Sequence, residues 1–425
     1  MNSDLHDFHK LSVDGRLELI KKIAGLTDDE TKLLKNFGNL GEETANRMIE
    51  NVVGSIVMPL GIATNFMING RDYLIPMALE EPSVVAAASK VAKIVREAGG
   101  FTASSDEPVM IGQVQLVGVT DFSSAKKNIL AKKEEIKEMC NRHDATLVKF
   151  GGGFRGIDFH EIETEAGKML IVNLLIDVRD AMGANAVNTM AEAAAPFLEE
   201  ITGAKVRLKI ISNLAIHRKA RAMAVFTKKS LEASFKNREM RGDEIVSAVL
   251  EAYHFAKNDV FRCATHNKGI MNGVDAVTIA TGNDFRAVEA GAHSFAAIDR
   301  YHPLTKYYKN EKGDLVGEIE LPLALGLIGG ATKTNPIAQI ALKILDVRSS
   351  QELACVIASV GLAQNFAAMR ALATEGIQEG HMRLHARNIA VTAGATGGKI
   401  DEVAARMVSE KNISVARAKE ILEEM

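Results

Sequence analysis

Residues 262–284 read RCATHNKGIMNGVDAVTIATGND, and this stretch carries the main evidence for how the chain is built around its chemistry. Its apolar run from Val274 to Ala280 is about the length of one core strand, so it predicts a strand with a polar loop at each end. Glycines in these loops would allow sharp turns or a close approach to a ligand: Gly269, Gly273 and Gly282.

Lys268 in the first loop and Asp284 in the second give this stretch a possible chemistry. A cation and a carboxylate held on rigid elements can polarise a carbonyl and stabilise the charge that develops on its oxygen. Taken singly, a surface lysine and a turn aspartate are the commoner explanations. The interpretation as a site therefore depends on the other motifs of the chain.

Eight short motifs follow one another along the sequence: ENVVG (50–54), EEPSVVAAAS (80–89), GGFT (99–102), DAMGAN (180–185), THNKGIMNG (265–273), TGND (281–284), GLAQN (361–365) and GHM (380–382). Any one of them can occur by chance, whereas eight in one order form a specific signal. Over nearly its whole length the chain resembles the soluble, bacterial and archaeal (class II) 3-hydroxy-3-methylglutaryl-coenzyme A (HMG-CoA) reductases.

The resemblance implies a two-step, four-electron reduction of a thioester to a primary alcohol with two NAD(P)H. Lys268 would stabilise the negative substrate oxygen, Glu81 would act as general acid, and Asp284 would bridge these two side chains. His381 would protonate the departing CoA thiolate. The implied substrate contacts are Ser83, Arg262, Asn272, Gln364 and Asn365.

Simpler explanations exist for several of these residues. Glu81 precedes an apolar helix pattern in which Pro82 fits the first turn, so it could be a capping or solvated carboxylate. Gln364 and Asn365 lie on an otherwise apolar helix and are either satisfied core amides or substrate contacts. His381 and His385 are four residues apart, but Met382 stands where a zinc-protease motif needs Glu, so no metal site is expected.

Length and composition set further bounds. A chain of 425 residues is long enough for two or three domains, and a formal net charge of −3 gives no electrostatic case for nucleic acid. Three scattered cysteines favour a reducing compartment over a disulfide framework or a zinc site. The polar N-terminus is not a signal peptide, and no apolar run approaches the roughly 20 residues of a membrane span. A soluble cytoplasmic protein is expected.

Residues 109–212 predict a small domain of their own. An alternating strand, a charged amphipathic helix, the strand-like pieces ATLVKF and IDFHEIET, the apolar strand MLIVNLLIDV, a second helix and the strand KVRLKIIS follow in order. This order of strands and helices indicates a ferredoxin-like (βαββαβ) antiparallel sheet with both helices on one face.

The glycine-rich segment 151–156, GGGFRG, matches the dinucleotide fingerprint G-x-G-x-x-G. That fingerprint must open a helix, but the next residues alternate like a strand, so we predict a glycine-rich hairpin and no Rossmann fold. The better phosphate site is DAMGAN, where small residues open a helix with free N–H groups. The resemblance assigns dinucleotide binding to Asp180, Ala181, Met182, Gly183, Ala184 and Asn185, although a plain helix start also fits the pattern.

Asp144 bears on the choice of dinucleotide. It lies seven residues before the triple glycine, where some NADH-using members of the family carry an aspartate. A carboxylate can accept hydrogen bonds from ribose hydroxyls and repels a 2′-phosphate, so NAD(H) is expected to be preferred over NADP(H). A turn aspartate is the alternative.

The expected fold is α+β. A large, mainly helical domain with a central β element (1–108 and 213–377) would bind substrate and dimerise, around an inserted small dinucleotide-binding domain (109–212). Residues 378–425 predict about three short helices, and the resemblance implies that they form a mobile flap hinged near Gly376 to Gly380. The segment 50–66, ENVVGSIVMPLGIATNF, is strand-like, and the resemblance places ENVVG near the thioester and the dimer contact.

The resemblance also implies a homodimer, or a trimer of such dimers, with each active site between subunits. One subunit's large domain would hold HMG-CoA while the partner's small domain delivers the nicotinamide. Two other functions stay open: a reductase for another acyl-CoA thioester, and an inactive CoA-binding relative. Neither the direction of the reaction in the cell nor the strictness of the cofactor preference follows from the sequence.

Overall fold

The structure is a computed structural model of the chain, and it describes residues 3–5, 7–36, 40–53, 55–234, 240–374 and 386–425. The strands are β1 Leu60–Ile68, β2 Arg71–Ala78, β3 Phe101–Ser105, β4 Val109–Val117, β5 Gly153–Thr164, β6 Gly167–Asp177, β7 Lys205–Ser212, β8 Lys219–Phe226, β9 Thr305–Lys309 and β10 Leu315–Pro322.

A 3-10 turn at Phe8–Lys10 precedes the α-helices. These are α1 Val13–Ala24, α2 Asp28–Lys35, α3 Glu42–Met48, α4 Val84–Arg96, α5 Phe122–Ala131, α6 Lys133–Arg142, α7 Ala145–Lys149, α8 Ala184–Thr202, α9 Lys228–Ala233, α10 Gly242–Asn258, α11 Val260–Ala280, α12 Phe285–Ala296, α13 Gly330–Thr334, α14 Pro336–Leu345, α15 Ser350–Thr374, α16 (residues 386–392), α17 Lys399–Ser409 and α18 Val415–Glu424.

A six-stranded sheet, in the order β2-β1-β3-β8-β10-β9, supports the larger core. Its strands pair antiparallel except where β1 and β3 run parallel beside Ile68 and Phe101. Helix α15 crosses this core, packing on the sheet and on α4, α10 and α11. The ring of Phe226 on β8 stacks on that of Phe366 on α15 with centroids 3.7 Å apart.

Helix α15 is long and apolar enough to span a membrane, so the expectation that no such run exists is wrong. However, 78 % of its most apolar 18-residue window is buried inside the molecule. A helix that is apolar on all sides must be covered by protein or lipid, and here protein covers it. It is the core helix of the larger unit.

The second sheet has four antiparallel strands in the order β5-β6-β4-β7. Helices α5, α6 and α8 pack on one another and on this sheet, with a separate apolar core. If the four strands are numbered 1 to 4 along the chain, they lie side by side in the order 2-3-1-4, which is the ferredoxin-like arrangement that the sequence predicts. The proposed domain bounds themselves stay a prediction.

Details of the small sheet differ from the predictions. The piece ATLVKF is not a strand but the short helix α7, and the charged helix is divided at Lys132 into α5 and α6. The triple glycine forms no hairpin: it leads from α7 directly into β5. Because a strand and not a helix follows the glycines, the rejection of a Rossmann fold is confirmed.

The largest correction concerns residues 274–280, which belong to helix α11 and not to a strand. A seven-residue apolar run fits a buried helix as well as a strand, and α11 is buried on several sides by α15, β2 and α10. Of its two glycines, Gly273 acts in packing, whereas a Cβ at Gly269 would meet nothing within 4 Å. An added Cβ at Gly273 would lie 2.9 Å from the Cβ of Gln364 on α15.

Two predictions near the N-terminus also need correction. The ordered strand begins only at Leu60, and residues 52–59 have no regular secondary structure where the structure describes them. Pro82 lies before helix α4 and not within its first turn, because Ser83 takes a left-handed conformation (φ 79°) and the helix starts at Val84.

The described part of the C-terminal segment, residues 386–425, forms three helices, as the sequence predicts. Helices α16, α17 and α18 enclose a small apolar cluster of their own that includes Ala390, Val403, Met407 and Ile421. The proposed hinge, together with His381 and His385, lies outside the described residues. The role of this unit as a flap therefore stays a prediction.

Candidate active site

The exposed side of helix α11 carries Lys268 and Asn272, which lie one helical turn apart. Both side chains reach the same carboxylate. The Nζ atom of Lys268 lies 3.4 Å from Oε2 of Glu81, and the Nδ2 atom of Asn272 donates to that oxygen at 3.3 Å. The Lys268 side chain is 64 % exposed, so its ammonium can donate further hydrogen bonds to an incoming oxygen.

Glu81 is placed by the short connection between β2 and α4. Strand β2 packs against α11, which brings its C-terminal end beside the helix that carries Lys268. The left-handed Ser83 then redirects the chain into α4. The Ser83 hydroxyl oxygen is buried, and the described part of the chain offers it no hydrogen-bond partner.

Asp284 does not take the bridging position that the resemblance implies. Its Oδ1 atom accepts from the backbone N–H groups of Arg286 at 3.1 Å and Ala287 at 3.3 Å, which makes it the N-cap of α12. It also forms an ion pair with the Arg286 guanidinium at 3.1 Å. Across the described ranges, no hydrogen bond or ion pair joins Asp284 to Lys268 or Glu81. Aspartate is a favoured N-cap, and this local bonding accounts for its position.

Asn365 is a satisfied core amide and does not face the Lys268 side of α11. It is 1 % exposed, and its Oδ1 atom accepts from the Tyr307 hydroxyl at 2.8 Å and the Thr305 hydroxyl at 3.2 Å. Its Nδ2 donates to the carbonyl of His266 at 3.4 Å. Of the two explanations for this residue, the structure supports the packing role, because its polar atoms are already paired inside the core.

The adjoining Gln364 differs. It is also buried, but its Oε1 atom has no partner within the described residues. Arg262, near the start of α11, is half-buried beside the sulfur of Met369, and burial lowers the pKa of its guanidinium. Six residues separate it from Lys268, which corresponds to roughly 9 Å along a helix.

His266, the neighbour of Lys268 in sequence, faces the core. Its Nε2 atom lies 2.6 Å from the Thr305 hydroxyl, and burial followed by the nearby Arg262 charge lowers the pKa of the imidazole to about 3. Asn267 donates to the His302 carbonyl and accepts from the Leu304 N–H. These contacts fix α11 against β9 and the residues before it, and thereby fix the direction of Lys268.

The DAMGAN segment opens helix α8, as predicted. Gly183 occupies the N-cap with φ 102°, and a Cβ there would lie 2.5 Å from Val178. Among the side chains that the structure describes, none caps this end of the helix, so its first N–H groups are available to a phosphate. Asn185 in the first turn is exposed. This geometry fits the pyrophosphate of a dinucleotide.

Asp144 is the N-cap of α7, and its Oδ1 atom accepts from the Leu147 N–H at 2.8 Å. The turn that follows α7 is bound by two arginines. Arg155 and Arg179 each donate to the Gly151 carbonyl and to the buried Asp177 carboxylate. The structure thus contains the local explanation of Asp144 as a turn residue.

A backbone segment joins the TGND loop to the DAMGAN loop. The Gly326 N–H donates to Oδ1 of Asn283 at 2.7 Å, and the Leu327 N–H donates to the Asp180 carbonyl at 2.8 Å. On the other side, the Ser350 N–H donates to the Asp180 carboxylate at 2.7 Å. No short motif announces these contacts, because they depend on how three distant loops meet.

The sequence analysis also missed a cluster of ionisable groups on α11 and α12. The Glu289 carboxylate lies beside the His293 imidazole (2.8 Å), whose Nδ1 is 2.8 Å from the Tyr301 hydroxyl. Burial and the nearby Glu289 raise the pKa of Asp275. The i, i+4 spacing of Glu289 and His293 is the only sequence signal for it. Among the described residues no group of three His, Cys, Asp or Glu could hold a metal.

Comparison with known proteins agrees with the motifs. The hydroxymethylglutaryl-coenzyme A reductase family profile matches residues 12–386. The chain is 57 % identical over 425 residues to the 3-hydroxy-3-methylglutaryl-coenzyme A reductase of Archaeoglobus fulgidus, covering 100 % of this chain and 95 % of that protein. It is 38 % identical over 354 residues to the probable 3-hydroxy-3-methylglutaryl-coenzyme A reductase of Borreliella burgdorferi, covering 83 % and 80 %.

The fold agrees as well. The solved class II 3-hydroxy-3-methylglutaryl-CoA reductase from Streptococcus pneumoniae, bound to NADPH in open conformations, superposes with a TM-score of 0.82 at 40 % identity, covering 97 % of this chain and 99 % of that one. Family, relatives and fold lead to one conclusion: the chain belongs to the HMG-CoA reductases of class II, the oxidoreductases of the mevalonate pathway.

Proposed function

We propose that this reductase interconverts HMG-CoA and mevalonate by two successive hydride transfers, by way of mevaldyl-CoA and mevaldehyde. The observation that carries the proposal is the meeting of Lys268 and Asn272 with the Glu81 carboxylate, at 3.4 and 3.3 Å, on the open side of α11. These groups supply a fixed cation, an amide donor and an acid at one place.

The reaction needs each of them. NAD(P)H supplies the hydride when it is bound. Each transfer places negative charge on the substrate oxygen, and the Lys268 ammonium stabilises that charge in both steps. Asn272 orients the lysine or the thioester oxygen through its amide. Glu81 delivers the proton that the aldehyde oxygen takes up in the second reduction.

The thiol leaves between the two reductions. The carbon–sulfur bond of the hemithioacetal breaks, and CoA departs as a thiolate that His381 protonates. Asp284 keeps its assigned role in this proposal, with its carboxylate turning from the α12 N-cap toward Lys268 and Glu81 when substrate is bound. Such a rearrangement would exchange two backbone hydrogen bonds and one exposed ion pair for contacts with the lysine.

Substrate contacts follow from unpaired polar groups near this site. The buried hydroxyl of Ser83 and the buried amide oxygen of Gln364 are unpaired among the described residues, and leaving such groups unpaired costs roughly 1–3 kcal/mol each. A bound HMG-CoA that bonds them would remove this cost. Arg262 binds the substrate carboxylate. Asn365 is left out of this set, because its amide is already bonded in the core.

For the dinucleotide we propose the N-terminus of α8, from Asp180 to Asn185, with a preference for NADH set by Asp144. The free N–H groups of α8 support the first part. The S. pneumoniae relative is bound to NADPH, so the preference needs its own test. Comparable kcat/KM values with NADH and NADPH would contradict the proposed preference for NADH.

We further propose the domain division given by the sequence and a cytoplasmic homodimer, or a trimer of dimers, with the site between subunits. The two sheets have separate apolar cores, which supports the inserted small domain. Apolar side chains left exposed on the single chain support a subunit contact: Val53, Ile56, Val57, Val260 and Phe261.

One spectrophotometric assay tests the central proposal. HMG-CoA with NADH or NADPH, and mevalonate plus CoA with NAD or NADP, should both change the absorbance of the reduced dinucleotide. Succinyl-CoA and acetyl-CoA serve as control thioesters, and faster reduction of either would favour another acyl-CoA reductase. Binding of HMG-CoA without turnover in either direction would identify an inactive CoA-binding relative.

A further inference from the structure

Arg218 is a buried arginine at the junction of the two sheets. It follows the turn after β7 and directly precedes β8. The residue is 3 % exposed. Its Nη1 atom donates to the carbonyl oxygens of Ala181 at 3.0 Å and Met182 at 3.3 Å, and its Nη2 atom donates to the carbonyl of Leu325. One side chain thus ties the DAMGAN loop to the segment that follows β10.

The guanidinium is charged, and it forms no ion pair with any described carboxylate. Burial lowers its pKa to about 10, against the more distant charges of Asp180 and Asp177. Burying a charge without a paired counter-ion is costly. An apolar side chain of similar length would remove the buried charge but would leave the carbonyls of Ala181, Met182 and Leu325 without this donor, so the arginine serves to hold these three carbonyls.

The loop that Arg218 binds is fixed with little freedom. A Cβ at Gly326 would lie 2.6 Å from the Met182 nitrogen, so the two backbones are in direct contact. The same Gly326 donates to Asn283, the residue before Asp284. The position of the DAMGAN loop is therefore fixed relative to the TGND loop. Arg218 contacts both backbone segments that meet there, residues 181–182 and Leu325.

We infer that Arg218 is a positioning residue for the dinucleotide. It holds the Ala181–Met182 carbonyls in place so that the first N–H groups of α8 face the pyrophosphate, and its charge adds positive potential beneath that helix end. The inference rests on the proposed dinucleotide site at DAMGAN. It concerns cofactor binding and leaves the binding of HMG-CoA unchanged.

Isothermal titration calorimetry of the full-length protein tests this with NADH, NADPH and HMG-CoA as separate titrants. Arg218→Met keeps the bulk and removes charge and donors, so Kd for both dinucleotides should rise about tenfold or more, with Kd for HMG-CoA within about twofold of wild type. Arg218→Lys retains the charge but cannot reach three carbonyls at once. Its dinucleotide Kd should therefore lie between those of wild type and Arg218→Met.

Arg96→Met is the control, because Arg96 is a partly buried arginine that pairs with Asp72 on β2, away from this loop. It should leave dinucleotide Kd unchanged. Should Arg218→Met fail to fold, Arg218→Gln takes its place: it removes the charge but keeps an amide donor for the loop carbonyls, and its dinucleotide Kd should rise while its Kd for HMG-CoA stays near wild type.

An unchanged dinucleotide Kd in both Arg218 variants, or an equal loss for HMG-CoA, would overturn the inference. Failure of the proposed function is distinguishable, since wild-type protein would then not turn over HMG-CoA in either direction, whether or not it binds HMG-CoA. The comparison of dinucleotide affinities between wild type and Arg218 variants stands independently of that result.

Discussion

Lys268 and Glu81 come from elements 187 positions apart, and their pair is the smallest unit on which the chemistry depends. Replacing Lys268 by Ala removes the cation that stabilises the substrate oxygen in both reductions. Losing one such donor lowers kcat by roughly 10²–10³-fold, and a full charge is expected to cost at least that much. Reduction of HMG-CoA and of free mevaldehyde should both be lost.

Lys257→Ala is the control for that variant, because Lys257 is an exposed lysine at the end of the neighbouring helix α10. It should retain wild-type rates on both substrates. Retention of mevaldehyde reduction by Lys268→Ala would show that the lysine serves only the thioester step, which is contrary to the mechanism proposed here.

His381→Gln separates the two half-reactions. A group that protonates the CoA thiolate is needed only when a carbon–sulfur bond breaks. The variant should therefore reduce free mevaldehyde at near wild-type rate while turnover of HMG-CoA is blocked. Equal failure on the free aldehyde would show that the assignment of His381 as the thiolate acid is wrong.

Asp275 gives a pH dependence of stability whose sign can be worked out. Burial and Glu289 raise the pKa of this carboxyl from 3.8 to about 8 in the folded protein. Between these values the folded state keeps a proton that the unfolded state has lost, so this group lowers the free energy of unfolding as pH rises. Asp275→Asn should remove this contribution to the pH dependence of the free energy of unfolding. The variant should therefore be stabilised relative to wild type most at the alkaline end of the range.

Thermal unfolding between pH 5 and 9 measures this difference. Asp299→Asn, at an exposed position after α12, should keep the wild-type slope. The charged and polar groups facing Asp275 are Glu289 and, through it, His293 and Tyr301. An Asp275→Asn slope identical to that of wild type would show that the carboxyl is ionised in the folded state throughout this range.

Helices α11 and α15 approach each other through glycine, and this contact determines where the active-site residues of α11 lie. A Cβ at Gly273 would be 2.9 Å from the Cβ of Gln364 and 3.1 Å from the Val360 carbonyl oxygen. Gly273→Ala should therefore push the helices apart and destabilise the protein by about 1–3 kcal/mol, since an overpacked core must shift its backbone. The melting temperature should fall and kcat should fall with it.

Gly269→Ala on the same helix is the matched comparison. A Cβ at Gly269 meets nothing within 4 Å, so the substitution should raise helix stability by roughly 0.5–1 kcal/mol. Differential scanning calorimetry of both variants measures the difference between their melting temperatures. Equal melting temperatures for the two variants would show that the α11–α15 contact tolerates an extra methyl group.

The same helix shows what sequence reasoning at the level of elements could and could not do. The motifs singled out Lys268, Asn272 and Glu81, which the structure brings together, but Val274–Ala280 was predicted as a strand. Its neighbours cover α11 on several sides, so the apolar positions show no helical period that would separate the two possibilities. In the small sheet, the succession of strands and helices along the chain predicted the ferredoxin-like strand order that the structure has.

For the whole molecule, eight ordered motifs were sufficient to predict the family and the mixed α+β fold. They could not predict the carbonyl contacts of Arg218 or the capping role of Asp284. Both depend on how the loops lie after folding. Asn365 was also undecided from the sequence, since a buried amide and a substrate-binding amide look alike until its partners are known.

The assembly is the remaining question at this scale, and the exposed apolar residues bear on it. Ile56 is 100 % exposed and Phe261 is 83 % exposed on the single chain. If these residues contact a second copy, Ile56→Lys and Phe261→Lys should each reduce the solution mass from about twice 45.9 kDa to 45.9 kDa. Light scattering after gel filtration measures this, with Leu130→Lys, at a half-exposed leucine on α5, as the control.

A mixing experiment then asks whether each site is shared between subunits. Lys268→Ala inactivates the large domain, and Gly183→Val blocks the DAMGAN loop, because a Cβ there would lie 2.5 Å from Val178. If one subunit's large domain works with its partner's small domain, a mixed dimer has one site with two lesions and one intact site. Random reassociation should therefore restore about a quarter of wild-type activity. If each site lies within one chain, every site keeps one lesion and no activity returns.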